Sequence, residues 1–100
     1  MPLWNNYLTI VGPRATVDRF DKDDTWERIL GARHIEWLEL SPKRRRREFK
    51  TSGRVLVELQ KLSRLWTPLV FLLDYEWEPK RIKGLAKVKA GDIESCEISY

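Results

Sequence analysis

The run Tyr7-Leu8-Thr9-Ile10-Val11 passes without a spacer into Gly12-Pro13-Arg14, and this junction constrains the chain more than any other stretch. Five successive aromatic, β-branched or apolar residues suit a strand covered on at least one face. Gly12 relaxes the backbone, and Pro13 fits a first helical position, where its missing N–H costs nothing. The opening bears on fold class and names no chemistry.

Further along, Val17 and Phe20 keep helical spacing until Asp21-Lys22-Asp23-Asp24 interrupts it. Asp24 with Glu27 reads as a capping box for a second helical stretch with Trp26, Ile29 and Leu30 on its apolar side, and Gly31 ends it. His34 to Leu40 has strand character, 41–44 is a turn, and Arg45 to Thr51 returns as the hairpin partner. Ser52 is the expected N-cap of a helix carrying the stripe Val55, Leu56, Leu59, Leu62, Leu65 and Trp66. After Thr67-Pro68, Leu69 to Trp77 is the strongest strand, with Leu69, Phe71, Leu73 and Tyr75 on one face. Lys83 to Lys89 and Ile93 to Tyr100 form a last hairpin around 90–92. The order β-α-β-β-α-β plus a C-terminal β-hairpin predicts a ferredoxin-like α+β sandwich: an antiparallel sheet with helices on one face. Leu8, Ile10, Phe71 and Leu73 are the residues expected beneath the helices.

One hundred residues predict a single domain over 1–100 with one modest core, to which five tryptophans bring large areas. Trp66 and Trp26 are expected inside; Trp4, Trp37 and Trp77 are open between core and interface anchor. A lone Cys96 excludes an internal disulfide and a cysteine-built zinc site, and is expected to be a small interior residue. The longest apolar run, Leu69 to Leu73, is too short to span a bilayer, and no basic-then-apolar leader opens the sequence. A cytoplasmic setting without membrane contact is the expectation.

Charge is unevenly spread. Lys43, Arg44, Arg45, Arg46, Arg47, Lys50 and Arg54 stand against Glu48 alone, a local +6 that leaves −2 for the rest of a chain of net charge +4. Such a ribbon could neutralise phosphates of DNA or RNA, although strand alternation would turn only about half of its arginines to any one ligand. The competing reading is a solvated edge hairpin, its charges opposing sheet-to-sheet aggregation. A second candidate is the sheet face away from the helices, where Tyr7, Thr9, Val11, Val70 and Leu72 would point. Val70 and Leu72 stack no bases, so this face suits a protein partner or a second copy of the chain better than RNA.

Catalysis finds no foothold. The acidic run at 21–24 fails the calcium-loop pattern, with Trp26 where glycine is needed and Ala32 where glutamate is needed. His34 is the sole histidine, Cys96 would need the fold to reach it, and Asp74, Glu76 and Glu78 stand beside Lys80, Arg81 and Lys83 as ordinary surface pairs. Gly12 stands alone, so no phosphate-cradling loop is present. Neither a cofactor, a metal nor a small-molecule substrate is expected, and the chain reads as a non-enzyme.

Trp4, Asn6, Leu8-Thr9-Ile10 and Gly12-Pro13, then Phe49-Lys50-Thr51, Leu59-Gln60-Lys61-Leu62-Ser63, and Leu69, Phe71, Leu73 and Tyr75 followed by Glu76 or Glu78 form a recurring set. In these residues the chain resembles the YubB-like ferredoxin-fold family of plasmid and phage proteins. It departs from that family in the middle, where a compact arginine hairpin replaces a longer insertion and Ser52-Gly53-Arg54 replaces a Trp-x-Pro-Pro helix opening. The resemblance implies the fold and an origin in a mobile genetic element, and carries over no catalytic residue. Together these readings predict a small binding or accessory module acting by protein–protein association through its sheet face, with nucleic-acid binding through 43–50 as the alternative.

Overall fold

Trp4–Val11 (β1) leads through Gly12-Pro13 into Arg14–Lys22 (α1), and a second short helix, Thr25–Leu30 (α2), follows. A hairpin of Arg33–Ser41 (β2) and Arg44–Thr51 (β3) precedes Leu56–Leu65 (α3), then Val70–Trp77 (β4), a single 3-10 turn at Glu78–Lys80, Ile82–Lys89 (β5) and Asp92–Ser99 (β6). This computed structural model describes residues 2–100, and their side chains except those of 38–40. The strands form one six-stranded sheet in the order β2-β3-β1-β4-β5-β6, antiparallel throughout. The result is an open antiparallel α+β sheet with three helices, wider than four strands because β5 and β6 extend it.

Alternation along β1 decides which face is covered. Trp4, Asn6, Leu8 and Ile10 are buried while Asn5, Tyr7, Thr9 and Val11 are not. Leu8 and Ile10 lie opposite Leu73 and Phe71 in the ladder, and all four are buried as their spacing predicted. Phe20 of α1 meets Phe71 edge-on at 5.7 Å, and Trp26 of α2 meets Phe49 at 5.6 Å. Leu59 and Leu62 of α3 complete the same core.

Several expected details differ. The capping box does not form: the Thr25 amide donates to Oδ1 of Asp23 at 2.7 Å, the Asp24 backbone carbonyl accepts from the Glu27 amide, and the Asp24 carboxylate accepts from Arg28 instead of a helix amide. Pro13 precedes α1 as its cap rather than entering it, with its carbonyl accepting from the Val17 amide. Ser52 is no cap either, since α3 begins at Leu56 after Val55. Leu65 lies on the outer side of α3, 65% exposed, because the stripe turns away after Leu62. Cys96 is exposed, because it lies opposite Leu85 on the sheet face that the helices leave open.

Two polar devices tie the C-terminal hairpin to this frame. Ala90 and Gly91, both at positive φ, make the tight turn between β5 and β6. The Gly91 amide donates to Ser63 Oγ at 2.8 Å, Ser63 Oγ donates to the Gln60 carbonyl, and Gln60 Nε2 donates to the Gly91 carbonyl at 3.0 Å. Gly84 leaves room for the Tyr75 ring to cross β5, since a Cβ there would sit 2.0 Å from Tyr75 Cζ.

Gly84→Ala should therefore displace Tyr75 and destabilise the fold by about 1–3 kcal/mol, the usual range for overpacking. A lower urea midpoint with an unchanged slope is the expected result.

Candidate functional site

Arg45 and Arg47 stand opposite Ile10 and Leu8 in the β1–β3 ladder, so they share the helix-facing side with two core residues. Arg44 and Arg46, opposite Val11 and Thr9, turn to the open face. The division of the run follows the strand repeat of two. Arg47 is fully buried and Arg45 is 8% exposed.

Acids from α1 neutralise both. Asp18 and Asp21 are three apart and project from one side of the helix. Arg47 Nη2 donates to Asp21 Oδ1 at 2.6 Å, Arg45 Nη2 donates to Asp18 Oδ1 at 3.0 Å, and Arg45 Nε donates to Asp21 Oδ2. Aromatic rings supply the rest of the Arg47 environment. Its guanidinium carbon lies 4.0 Å from the Trp37 ring centre, 4.8 Å from Trp26 and 5.2 Å from Phe20. Burial pulls the Arg47 pKa down to about 10 against the opposing effect of Asp21, so the group stays charged at neutral pH. Trp37, half exposed, closes the outside of this cage. The assignment of Arg45 and Arg47 to a ligand-facing ribbon is thereby corrected: both are held inside.

Arg54 is also engaged. Its Nε and Nη2 donate to Glu97 Oε1 and Oε2 at 2.7 and 2.9 Å, and its guanidinium lies 4.6 Å over Trp4. Tyr75, reaching over Gly84, donates its hydroxyl to Glu97 Oε1 at 2.9 Å. Arg54 foremost, with Tyr75 assisting, holds the Glu97 carboxyl below the usual carboxylate range. Burial first, then the bond to Glu97, pushes Tyr75 up to about 12.

On the open face, Tyr7, Thr9, Val11 and Val70 are half-buried and Leu72 is 41% exposed, oriented as their alternation predicted. Two further apolar residues lie there that sequence reasoning passed over, Leu85 at 59% and Ile98 at 58% exposed. The registers Val11↔Val70, Leu72↔Lys87, Leu85↔Cys96 and Lys83↔Ile98 set these side chains on one diagonal across four strands. Arg46, Lys87, Asp74 and Glu94 border its middle, where a groove of about 550 Å³ opens over Tyr7, Leu72 and Leu85. Burial, followed by the nearby Glu48 and Glu76 carboxylates, raises the Tyr7 pKa. Lys43 is exposed in the β2–β3 turn and Lys50 is exposed on β3.

The sole histidine and the sole cysteine are not brought together. His34 is on β2 and Cys96 on β6, at opposite borders of the sheet. Asp74 and Glu76 face the open side, with Glu76 3.9 Å from Lys83, while Glu78 belongs to the 3-10 turn. Among the described residues no cluster of His, Cys, Asp or Glu is arranged to hold a metal ion, and no helix is long and apolar enough to cross a membrane. Comparison with known protein families, curated proteins and solved structures gives no match.

Arg47→Met should destabilise the fold by about 3 kcal/mol or more, as loss of one partner of a buried pair does. Arg46→Met, on the other face, should change stability by less than about 1 kcal/mol; the two urea curves decide. A second expectation follows from Glu97. Its folded pKa lies below its unfolded one, so its contribution is complete above the ordinary carboxylate pKa and disappears as pH falls through the lowered value. The urea midpoints of wild type and Glu97→Gln should differ near neutral pH and converge between roughly pH 5 and pH 3.

Proposed function

We propose that this chain is a small non-enzymatic binding module that associates with a protein partner through its open sheet face. One observation carries the reading: Leu72, Leu85 and Ile98 are exposed along a single diagonal on the face that the helices leave uncovered. Contiguous exposed apolar surface rimmed by charge is characteristic of interaction sites. We read the first four strands, β2-β3-β1-β4, as a ferredoxin-like core that β5 and β6 widen. The motif resemblance to the YubB-like family supports that reading and a role as an accessory protein of a mobile genetic element. A cytoplasmic location fits the single exposed thiol.

The nucleic-acid alternative is weaker than the run of arginines suggests. Arg45, Arg47 and Arg54 are held by Asp18, Asp21 and Glu97, so only about half of the basic residues, among them Arg44 and Arg46 on the open face and the exposed Lys43 and Lys50, face outward. Glu48, Asp74 and Glu76 share that outward face.

The test uses three baits: wild type, Leu72→Glu with Leu85→Glu, and Arg44→Ser with Arg46→Ser. Capture of a protein that survives nuclease treatment, is lost with the first pair and kept with the second, is the expected result. The reverse pattern overturns the reading, above all if binding to mixed-sequence DNA or RNA falls with salt at a log–log slope on the order of −2 to −4.

A further inference from the structure

The two borders of the sheet are unlike. β2 carries register shifts between Arg33 and Glu36 and between Trp37 and Glu39, and His34 adopts a left-handed φ of 53°. Such irregularities blunt an edge. β6 has none: its eight residues hold one continuous register against β5, from Lys89↔Asp92 to Ile82↔Ser99. Nor does it contribute much to its own core, since only Ile93 packs against the buried cluster.

The direction of its backbone groups follows from the ladder. The Tyr100 amide donates inward to the Arg81 carbonyl at 2.8 Å, so the even-numbered residues of this strand face β5. The amides and carbonyls of Ile93, Ser95, Glu97 and Ser99 therefore point away from the sheet. Charge does not bar a neighbour. Asp92 and Glu94 lie opposite Lys89 and Lys87, and Glu97 is paired with Arg54, so each acid of the strand has a cation of its own chain beside it.

We propose that β6 pairs antiparallel with β6 of a second copy of this chain, joining two sheets into one continuous sheet twice as wide. The proposal rests on the reading of the chain as a protein-association module and names one partner by its chemistry: an identical strand. Two antiparallel strands in one sheet are related by a two-fold axis perpendicular to it, so one residue must face its own symmetry mate. Centring on Cys96 pairs Ser95 with the mate of Glu97 and Ile93 with the mate of Ser99. All the outward-pointing residues of both strands then find hydrogen-bond partners. Centring on Ser95 instead sets Ser99 against the turn residue Gly91 and uses fewer. In the Cys96 register Glu94 faces the mate of Ile98 and Asp92 the mate of Tyr100, so no carboxylate faces another. The open faces of both copies then lie on the same side, which doubles the apolar surface described above.

This register places the two Cys96 residues in a non-hydrogen-bonded pair, with Cα atoms about 4.5 Å apart, within the span a disulfide bridges. The thiols serve as a reporter. An added mild oxidant takes one electron from each sulfur as each loses its proton, and one S–S bond forms between the copies.

Sedimentation velocity of the reduced chain over increasing concentration should show a monomer–dimer equilibrium. Oxidation of the unmutated protein should convert the dimer to a covalent one through Cys96. Ser95→Pro deletes an outward amide while leaving the bonds to β5, and should weaken dimerisation at least tenfold while leaving the urea midpoint unchanged at concentrations low enough that both chains are monomeric. The Leu72→Glu, Leu85→Glu chain should dimerise as wild type does. A strict monomer at every concentration overturns the proposal. So does a dimer whose Cys96 residues do not cross-link, a result that stands even if Ser95→Pro fails to fold. Failure here leaves the open-face reading intact, because its own test reads a different protein and different residues.

Discussion

A single carboxylate, Asp21, holds two guanidinium groups of β3 against the end of α1, and much of the architecture depends on this junction. Two adjacent inward positions of a central-sheet strand are arginine where a purely apolar core would carry valine or leucine. Charges there are unfavourable unless hydrogen-bonded and matched. Asp18 and Asp21 supply the match, and the rings of Phe20, Trp26 and Trp37 surround the part of Arg47 that no carboxylate reaches. Arg47 Nε and Nη1 make no hydrogen bond, so ring faces stand in for acceptors. Because those rings come from α1, α2 and β2, one side chain on β3 joins four elements.

The same junction decides what is left for function. A run of four arginines looks like a surface for polyanions, yet half of it serves the core and the other half shares a face with acids. Apolar side chains then become the distinctive feature of the open face. They lie in a line because strand alternation turns Leu72, Leu85 and Ile98 to the face opposite the helices, and the ladder registers step them across β4, β5 and β6. The Tyr75–Glu97–Arg54 contact and the anchored turn at Ala90-Gly91 keep the β5–β6 extension rigid without burying its outer strand.

Much of this was legible in the residues. Strand alternation separated Arg45 and Arg47 from Arg44 and Arg46, and put Leu8, Ile10, Phe71 and Leu73 beneath the helices. Pro-Lys and Ala-Gly marked the hairpin turns because their geometry is local. The partners of the buried arginines were not legible: Asp21 lies in a different element, and nothing near Arg45 in sequence distinguishes it from a loop acid. Cys96 was expected inside because it shares a strand face with Ile98 two residues on, whereas that face is the one the helices leave open. Ser63 stood out only as part of a motif, and its work on the Gly91 amide became visible once α3 and the last hairpin were side by side. At Asp24 the cap position was legible but its carboxylate went to Arg28, and α3 starts past Ser52 at Leu56, since several adjacent residues could begin that helix.

The claim that half of the arginine ribbon belongs to the core is tested most directly by a double-mutant cycle on Asp21→Asn and Arg47→Met, read by urea unfolding. A coupling energy of about 1–3 kcal/mol is expected for residues that share one buried contact. Losses that simply add, to within about 0.5 kcal/mol, would show that the two do not act together and would return Arg47 to the surface.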